Sequence, residues 1–322
     1  MLKTAVLLVN LGTPGAPTPA AVRRYLSEFL SDRRVIDLPR WKWLPILHGI
    51  ILRVRPRKTA ALYRQIWTSE GSPLLMNCLI QRSGLQKRLA ADKIKVALGM
   101  SYGSPALRGE LEQLHRWGVR HLIILPLYPQ YSSTTVASVW DGCANVLAGW
   151  PDLPELSFIT NYATHPLYIE ALTERIQTEI RQNGKPDCLI LSYHGIPQQY
   201  ADSGDPYAQH CLATTGALQK RLSDLKIIQS YQSRFGHEKW LEPDTLETVT
   251  SLAHQGIRHL AVMAPGFTSD CVETLYELAI ENAAAFKKAG GESFHYIPAL
   301  NDSSTFTACL EKLVRSRIHS DV

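Results

Sequence analysis

The sequence predicts a doubly wound α/β protein made of two similar halves, and three observations predict it. Short apolar runs bounded by glycine and proline alternate with longer amphipathic segments. Within the runs polar and apolar residues do not alternate, which is the pattern of strands buried on both faces of a parallel sheet. Two motifs also recur in the same order. Gly118-Val119-Arg120-His121-Leu122 returns as Gly256-Ile257-Arg258-His259-Leu260, and Leu11-Gly12-Thr13-Pro14 has a counterpart in His194-Gly195-Ile196-Pro197.

The elements follow in order. Residues 5–9 form an apolar strand that runs into the turn at Gly12 and Pro14. Amphipathic spacing gives helices over 20–29, 81–90 and 106–117, with strands at 95–98, 121–125 and 156–160. The second half repeats the alternation: helix 166–182, strand 188–191, helix 208–222, strand 227–230, helix 244–254, strand 259–263 and helix 271–288. Unequal spacing of the two repeats places roughly 45 extra residues in the first half. The chain of 322 residues therefore divides into an N-terminal half, 1–160, with an insertion at about 38–58, and a C-terminal half, 161–322. The last helix is a candidate to pack back on the first half.

The insertion has the oddest composition. Trp41, Trp43, Leu44, Ile46, Leu47, Ile50, Ile51 and Leu52 are interleaved with Arg40, Lys42, Arg53, Arg55, Arg57 and Lys58. An apolar patch rimmed by cations, with tryptophan at its edge, suits an interfacial anchor or the lip of a pocket for a flat apolar anion. A core helix with basic flanks is the competing reading, and Pro39, Pro45 and Pro56 are expected to break any long helix.

Composition excludes several classes. With 45% apolar and 20% charged residues the chain is neither disordered nor fibrous. A net charge of +5 is too small at this length to argue for nucleic acid, and no partner of that kind is expected. The six cysteines, Cys78, Cys143, Cys188, Cys211, Cys271 and Cys309, form no C-x-x-C pair or zinc spacing and read as reduced thiols. Residues 1–10 read as a buried strand rather than a secretory signal, so a cytoplasmic location is expected. No stretch approaches the ~20 apolar residues that cross a bilayer. Phosphate-loop, nucleophile-elbow and zinc-protease motifs are absent, and Pro14 between Gly12 and Gly15 spoils a dinucleotide loop.

Two loops at strand exits carry the chemistry, where open α/β sheets bind ligands. In the first, His194 can act as a neutral base or metal ligand, or simply be a satisfied structural histidine. In the second, Asp270 can cap the following helix with Glu273 at its third position. Glu273, Glu277 and Glu281 also form one carboxylate stripe at i, i+4 and i+8. Each like-charge neighbour costs about 0.2–0.5 kcal/mol. A row of hard oxygen ligands leading a divalent cation toward a histidine would explain that cost; a solvated acidic face is the alternative.

The segments VNLGTP (9–14), YRQIW–EGSPL (63–75), LYPQYSSTT (127–135), LSYHGIP (191–197), GDPY (204–207) and PGFTSDCVETLYE (265–277) resemble the ferrochelatase family, whose members insert ferrous iron into a porphyrin. The matches run in order over nearly the whole chain. The resemblance implies two Rossmann-like halves, each a parallel sheet flanked by helices, with a porphyrin cleft between them. It implies His194 and Glu273 as the catalytic and metal-contacting pair, with Glu277 and Glu281 as a trail for metal or protons. Leu11, Ser101, Tyr102, Tyr131 and Trp240 match the macrocycle pocket. The implied substrates are protoporphyrin IX and Fe²⁺, in the last step of haem synthesis, with no tightly bound cofactor.

The segment 38–58 coincides with the family's lip, which is apolar in members that take protoporphyrin and contact membranes, so peripheral contact with the cytoplasmic membrane is expected. Some relatives hold a two-iron cluster through cysteines, partly in a C-terminal extension. Here the chain stops at Val322 and Ser132-Ser133 stands at one ligand position, so no iron–sulfur cluster is expected. Ser101 replaces an arginine of some relatives, which leaves the propionate ligands unassigned, and Cys271 stands where others have histidine. The rivals are a coproporphyrin or cobalt chelatase of the same fold and, in another class, a two-lobed tetrapyrrole- or other ligand-binding protein.

Overall fold

The computed structural model describes residues 3–318 apart from Phe235 and His237, and within them eight strands form two parallel four-stranded sheets. In the first, β1 (Thr4–Thr13), β2 (Lys95–Gly103), β3 (His121–Pro126) and β4 (Glu155–Phe158) lie in the order β2-β1-β3-β4. In the second, β5 (Cys188–His194), β6 (Ile227–Gln232), β7 (His259–Met263) and β8 (Ser293–Ile297) lie in the order β6-β5-β7-β8. The two orders are the same strand for strand, as the repeated motifs require.

The chain divides into two compact units. One holds the described chain through Tyr128, Ser132–Thr160 and the described residues from Thr307 on; the other holds Pro129–Tyr131 and Asn161–Phe306. In the first unit the helices are α1 (Pro19–Phe29), α2 (Arg40–Ile46), α3 (Leu52–Ile66), α4 (Pro73–Arg88), α5 (Leu107–Trp117) and α6 (Val136–Leu147). Local chemistry sets their ends. Thr18 accepts from the Ala21 amide at 3.3 Å to cap α1, with Pro19 as its first residue, and Gly118 at φ +80° terminates α5. Leu7, Leu111, Leu122, Ile124 and Val139 close the core on one face of this sheet.

The second unit carries α7 (Pro166–Asn183), α8 (Gln198–Asp202), α9 (Tyr207–Arg221), α10 (Thr245–His254) and α11 (Ala283–Lys288). Asp244 caps α10 by accepting from the Glu247 amide at 2.9 Å. Ile190, Val249, Leu260, Val262, Leu278 and Phe286 form its core. The final helix, α12 (Ser304–Ile318), sits with the first unit from Thr307 on, where Arg88 pairs with Glu311 at 3.1 Å and Arg315 with Asp92 at 2.9 Å.

Three local expectations are corrected. Pro45 and Pro56 do not break the insertion: α2 and α3 join through a π-helical turn, Leu47–Ile51, that takes up the disturbance of the prolines. The insertion is also not one uniform patch. Trp43, Leu47 and Leu52 are buried, and the Trp43 indole donates to the Leu30 carbonyl at 2.7 Å. Trp41, Ile46, Ile50 and Val54 are exposed, Trp41 by 75%. Finally, the segment 271–288 is a ten-residue π-helix, Glu273–Asn282, continued by α11.

Candidate functional site

The site of the second unit begins where β5 ends. His194 is half-buried, and its Nδ1 lies 2.7 Å from the Gly195 carbonyl. A carbonyl only accepts, so Nδ1 carries the hydrogen and the neutral ring presents its lone pair on Nε2. Gly195 is needed here. A Cβ at this position would stand 3.1 Å from the Trp240 ring and 3.0 Å from the Gln232 carbonyl, which accepts from the Gly195 amide at 2.8 Å. Trp240 therefore packs directly beside the histidine corner, and the Phe267 ring lies 6.3 Å from the imidazole, centroid to centroid.

The π-helix carries the carboxylates. Its wide turn keeps Glu273, Glu277 and Glu281 near one face, and exposure grows along the row: the first two are half-buried and Glu281 is exposed. Glu277 accepts from both the amide and the hydroxyl of Ser233, at 2.7 and 2.5 Å. Burial raises its carboxyl above the ordinary value and Glu273 adds to the rise, against the Ser233 hydroxyl and, when its ring is protonated, His194, which lower it. Gln232 donates to the Glu273 carbonyl at 2.8 Å and accepts from Ser192 at 2.8 Å. His194 and Glu273 thus both act electrostatically on Glu277, and Gln232 ties the His194 strand to the Glu273 backbone.

Asp270 does not cap this helix, and Glu273 is not half of a capping box. The Asp270 carboxylate is buried and accepts from Thr274 at 2.9 Å, Tyr296 at 2.6 Å and Asn301 at 2.6 Å. The neighbouring Cys271 thiol is also buried, and burial pushes its pKa up, so it stays protonated.

The pocket candidates are less uniform. In the first unit Leu11 and Ser101 are half-buried, and the pairing of Asn10 with Met100 and Gly12 with Tyr102 sets them opposite each other at the ends of β1 and β2. Tyr102 is buried, with its hydroxyl engaged by Asp32 at 2.7 Å and Ser138 at 3.0 Å, so that group serves the unit's own packing. In the second unit Tyr131 is half-buried, its amide donating to His210 Nδ1 at 3.2 Å. Among the described residues no group of three or more His, Cys, Asp or Glu side chains is close enough to hold a metal ion. Gln232 and Ser233 were not singled out from the sequence; their signal, a non-glycine residue at φ +65° in Ser233, exists only in the backbone.

Comparison with known proteins identifies the lineage. The family model described as Ferrochelatase matches residues 3–318. A protein named coproporphyrin III ferrochelatase from Symbiobacterium thermophilum is 58% identical, covering 99% of each chain. A ferrochelatase from Yersinia enterocolitica is 51% identical over 98% of each. Among solved structures, the sirohydrochlorin chelatase SirB of Bacillus subtilis subspecies spizizenii, in complex with cobalt, superposes with a TM-score of 0.56 at 11% identity, covering 98% of this chain and 95% of that one; this shows the shared two-halved fold. The chain belongs to the ferrochelatase family and is a metal-chelating enzyme.

Proposed function

We propose that this enzyme inserts Fe²⁺ into protoporphyrin IX, with His194 as proton acceptor and the glutamate row as the path of the metal. One observation supports the reading: His194, with its lone pair on Nε2, and Glu273 both act on half-buried Glu277, in a row of carboxylates that ends at exposed Glu281. Insertion requires two pyrrole N–H protons to leave as Fe²⁺ sheds its waters and bonds four nitrogens. A planar macrocycle hides its nitrogen lone pairs, so the site must favour a distorted ring, which is complementarity to the reacting state. His194 takes the protons, Glu273 offers the carboxylate at the metal, and Glu277 and Glu281 hand the cation inward. In the first unit Leu11 and Ser101 are the candidates for contact with the macrocycle, with Tyr102 as a buried support, and in the second unit the candidates are Tyr131 and Trp240.

The apolar lip favours protoporphyrin. Exposed Trp41, Ile46, Ile50 and Val54 suit a substrate with two propionates better than one with four. The same face, edged by exposed Lys42, Arg53, Arg57 and Lys58, suits peripheral contact with an anionic cytoplasmic membrane. No described helix is long and apolar enough to cross a membrane. The enzyme works without a resident iron–sulfur cluster in this reading; the six cysteines are each buried and none is in a disulfide.

Coproporphyrin III is the second reading, favoured by the name of the 58% identical relative. Steady-state insertion of Fe²⁺ into the two porphyrins decides: a higher kcat/KM for protoporphyrin is expected, and a tenfold preference for coproporphyrin would reverse the assignment.

A further inference from the structure

Glu277 is held more tightly than a surface carboxylate of an acidic row needs to be. Both of its oxygens are used by one residue: Oε1 takes the Ser233 amide at 2.7 Å and Oε2 takes the Ser233 hydroxyl at 2.5 Å. Bonds of this kind to an ionised acceptor are short and strong. Ser233 reaches this geometry only by standing at φ +65°, a left-handed conformation that disfavours residues with a Cβ. A strained backbone persists where its surroundings determine it, and here they do.

The residue before Ser233 supplies that determination. Gln232 is buried at the end of β6, directly opposite His194 in the sheet, and its carbonyl takes the Gly195 amide. Its side-chain oxygen accepts from Ser192 at 2.8 Å, and Ser192 is bonded in turn to Thr245 at 2.8 Å. The Gln232 amide nitrogen donates to the Glu273 carbonyl at 2.8 Å. The dipeptide therefore grips the π-helix twice, at the backbone of Glu273 and at the side chain of Glu277, while its own strand is bonded to the His194 corner. One turn further along, exposed Glu281 has no such support from this pair.

We propose that Ser233 is a positioning residue that fixes the orientation of the Glu277 carboxylate for the incoming cation, with Gln232 anchoring it to the His194 strand. The inference deepens the reading of the glutamate row as the metal path and rests on it. A freely rotating Glu277 would present its oxygens in several directions, and each metal encounter would bear the cost of ordering it. With Ser233 in place the carboxylate is already ordered, so the benefit falls on metal capture rather than on porphyrin binding.

The test uses Zn²⁺ as the metal, with Ser233→Ala and Ser233→Gly as variants. Glycine removes the hydroxyl while relieving the left-handed backbone, so it folds even where alanine does not. Both variants are expected to raise the KM for Zn²⁺ by about tenfold or more, the usual consequence of losing a hydrogen bond to a charged group. The KM for porphyrin should stay within about twofold, since nothing in the proposed capture step touches it. In a Glu277→Gln background the same substitutions should add nothing, because the group they position is gone. An unchanged Zn²⁺ KM, a parallel rise in porphyrin KM, or full additivity with Glu277→Gln overturns the proposal. Wild-type turnover separates the two layers: absence of zinc insertion by the unmodified enzyme counts against the reading of the site. Porphyrin-free titration calorimetry with Zn²⁺ then tests Ser233 by itself, a tenfold weaker Kd in Ser233→Gly supporting the role and an equal Kd refuting it.

Discussion

Leu11-Gly12 closes β1 and His194-Gly195 closes β5, two glycine corners in sheets of the same strand order. In the first, Gly12 stands at φ +111° and a Cβ there would lie 1.7 Å from the Tyr102 carbonyl. In the second, Gly195 has no positive φ, and its near neighbours are 3.0 Å away or more. The third strands diverge as well. β3 leads to α6, a regular helix whose buried Val136, Val139, Cys143 and Val146 serve packing, whereas β7 leads to the π-helix of Glu273, Glu277 and Glu281. The same scaffold has been used twice. One copy presents a leucine and a packing helix, the other an imidazole and a row of carboxylates. The candidate site residues therefore follow from a few exchanges at strand ends, while the topology beneath them stays constant.

The sharpest way to break this comparison is to make the reactive corner like the other. His194→Leu, which copies Leu11, is expected to lower insertion by about 10²–10⁴-fold, the range for loss of a positioned acid or base. Porphyrin affinity, read by fluorescence titration, should change little, because the pocket candidates remain. Activity within tenfold of wild type would remove His194 from the mechanism.

The glycine corners differ next. Gly12→Ala should destabilise the protein by roughly 3 kcal/mol or more, combining a left-handed backbone with overlap on a carbonyl that cannot move without breaking the β1–β2 ladder. Gly195→Ala meets a ring and a carbonyl at 3.0–3.1 Å, and about 1 kcal/mol is expected there. Urea unfolding of both variants measures the difference; equal losses would mean that the two corners are not distinct in strain.

Much of this layout was legible beforehand for a physical reason. The strand at 259–263 is apolar and buried from Leu260 to Met263 and was read in full. β5 and β6 were read short, because β5 continues into His194 and β6 into Gln232 by main-chain pairing that no hydrophobic pattern records. Helix α4 starts at Pro73, ahead of the predicted 81, since exposed Ile80 and apolar Leu75 and Met76 blur the seam of Leu74, Cys78, Gln81 and Leu85. Strand β8 and helix α6 were not read at all, and α12 was read only as a last helix without bounds. The π-helix was invisible for a deeper reason: apolar spacing does not say whether each amide bonds four or five residues back. At the site, His194 and the glutamate row were named from sequence, but Asp270 was given a local capping role. Its partners Tyr296 and Asn301 lie 26 and 31 residues away, and only folding brings them in. Ser233 and Gln232 were missed because their value lies in a backbone angle and in three hydrogen bonds to the π-helix.

The carboxylate row offers a smaller effect with a definite sign. Burial holds the Glu277 carboxyl above its ordinary value. Below about pH 4, near the ordinary glutamate value, the group is protonated whether folded or unfolded and has no differential effect. Above it the unfolded chain ionises first, so the folded state loses stability as pH rises through the raised pKa. Glu277→Gln should therefore raise Tm at pH 8, with the advantage closing as pH falls toward 4. A Tm gain that is flat with pH would assign the effect to packing instead.

The least effect on folding is expected on the exposed side of the lip, which repeats the comparison within one helical segment. Leu47 is fully buried and Trp41 is exposed. Leu47→Ala should cost about 2–5 kcal/mol, as a large-to-small change in a closed core does. Trp41→Ser should cost less than about 0.5 kcal/mol, the range of surface substitutions without partners in the core. Its consequence belongs outside the fold. If Trp41, Ile46 and Ile50 form an interfacial face edged by Lys42 and Arg53, the triple serine variant should lose sedimentation with vesicles containing anionic lipid while its urea midpoint stays near that of wild type. High salt should weaken binding of the wild type in the same assay, because the cations contribute only through screened attraction. A variant that unfolds before it loses vesicle binding would return these three side chains to the core, and the exposed half of the insertion would need another explanation.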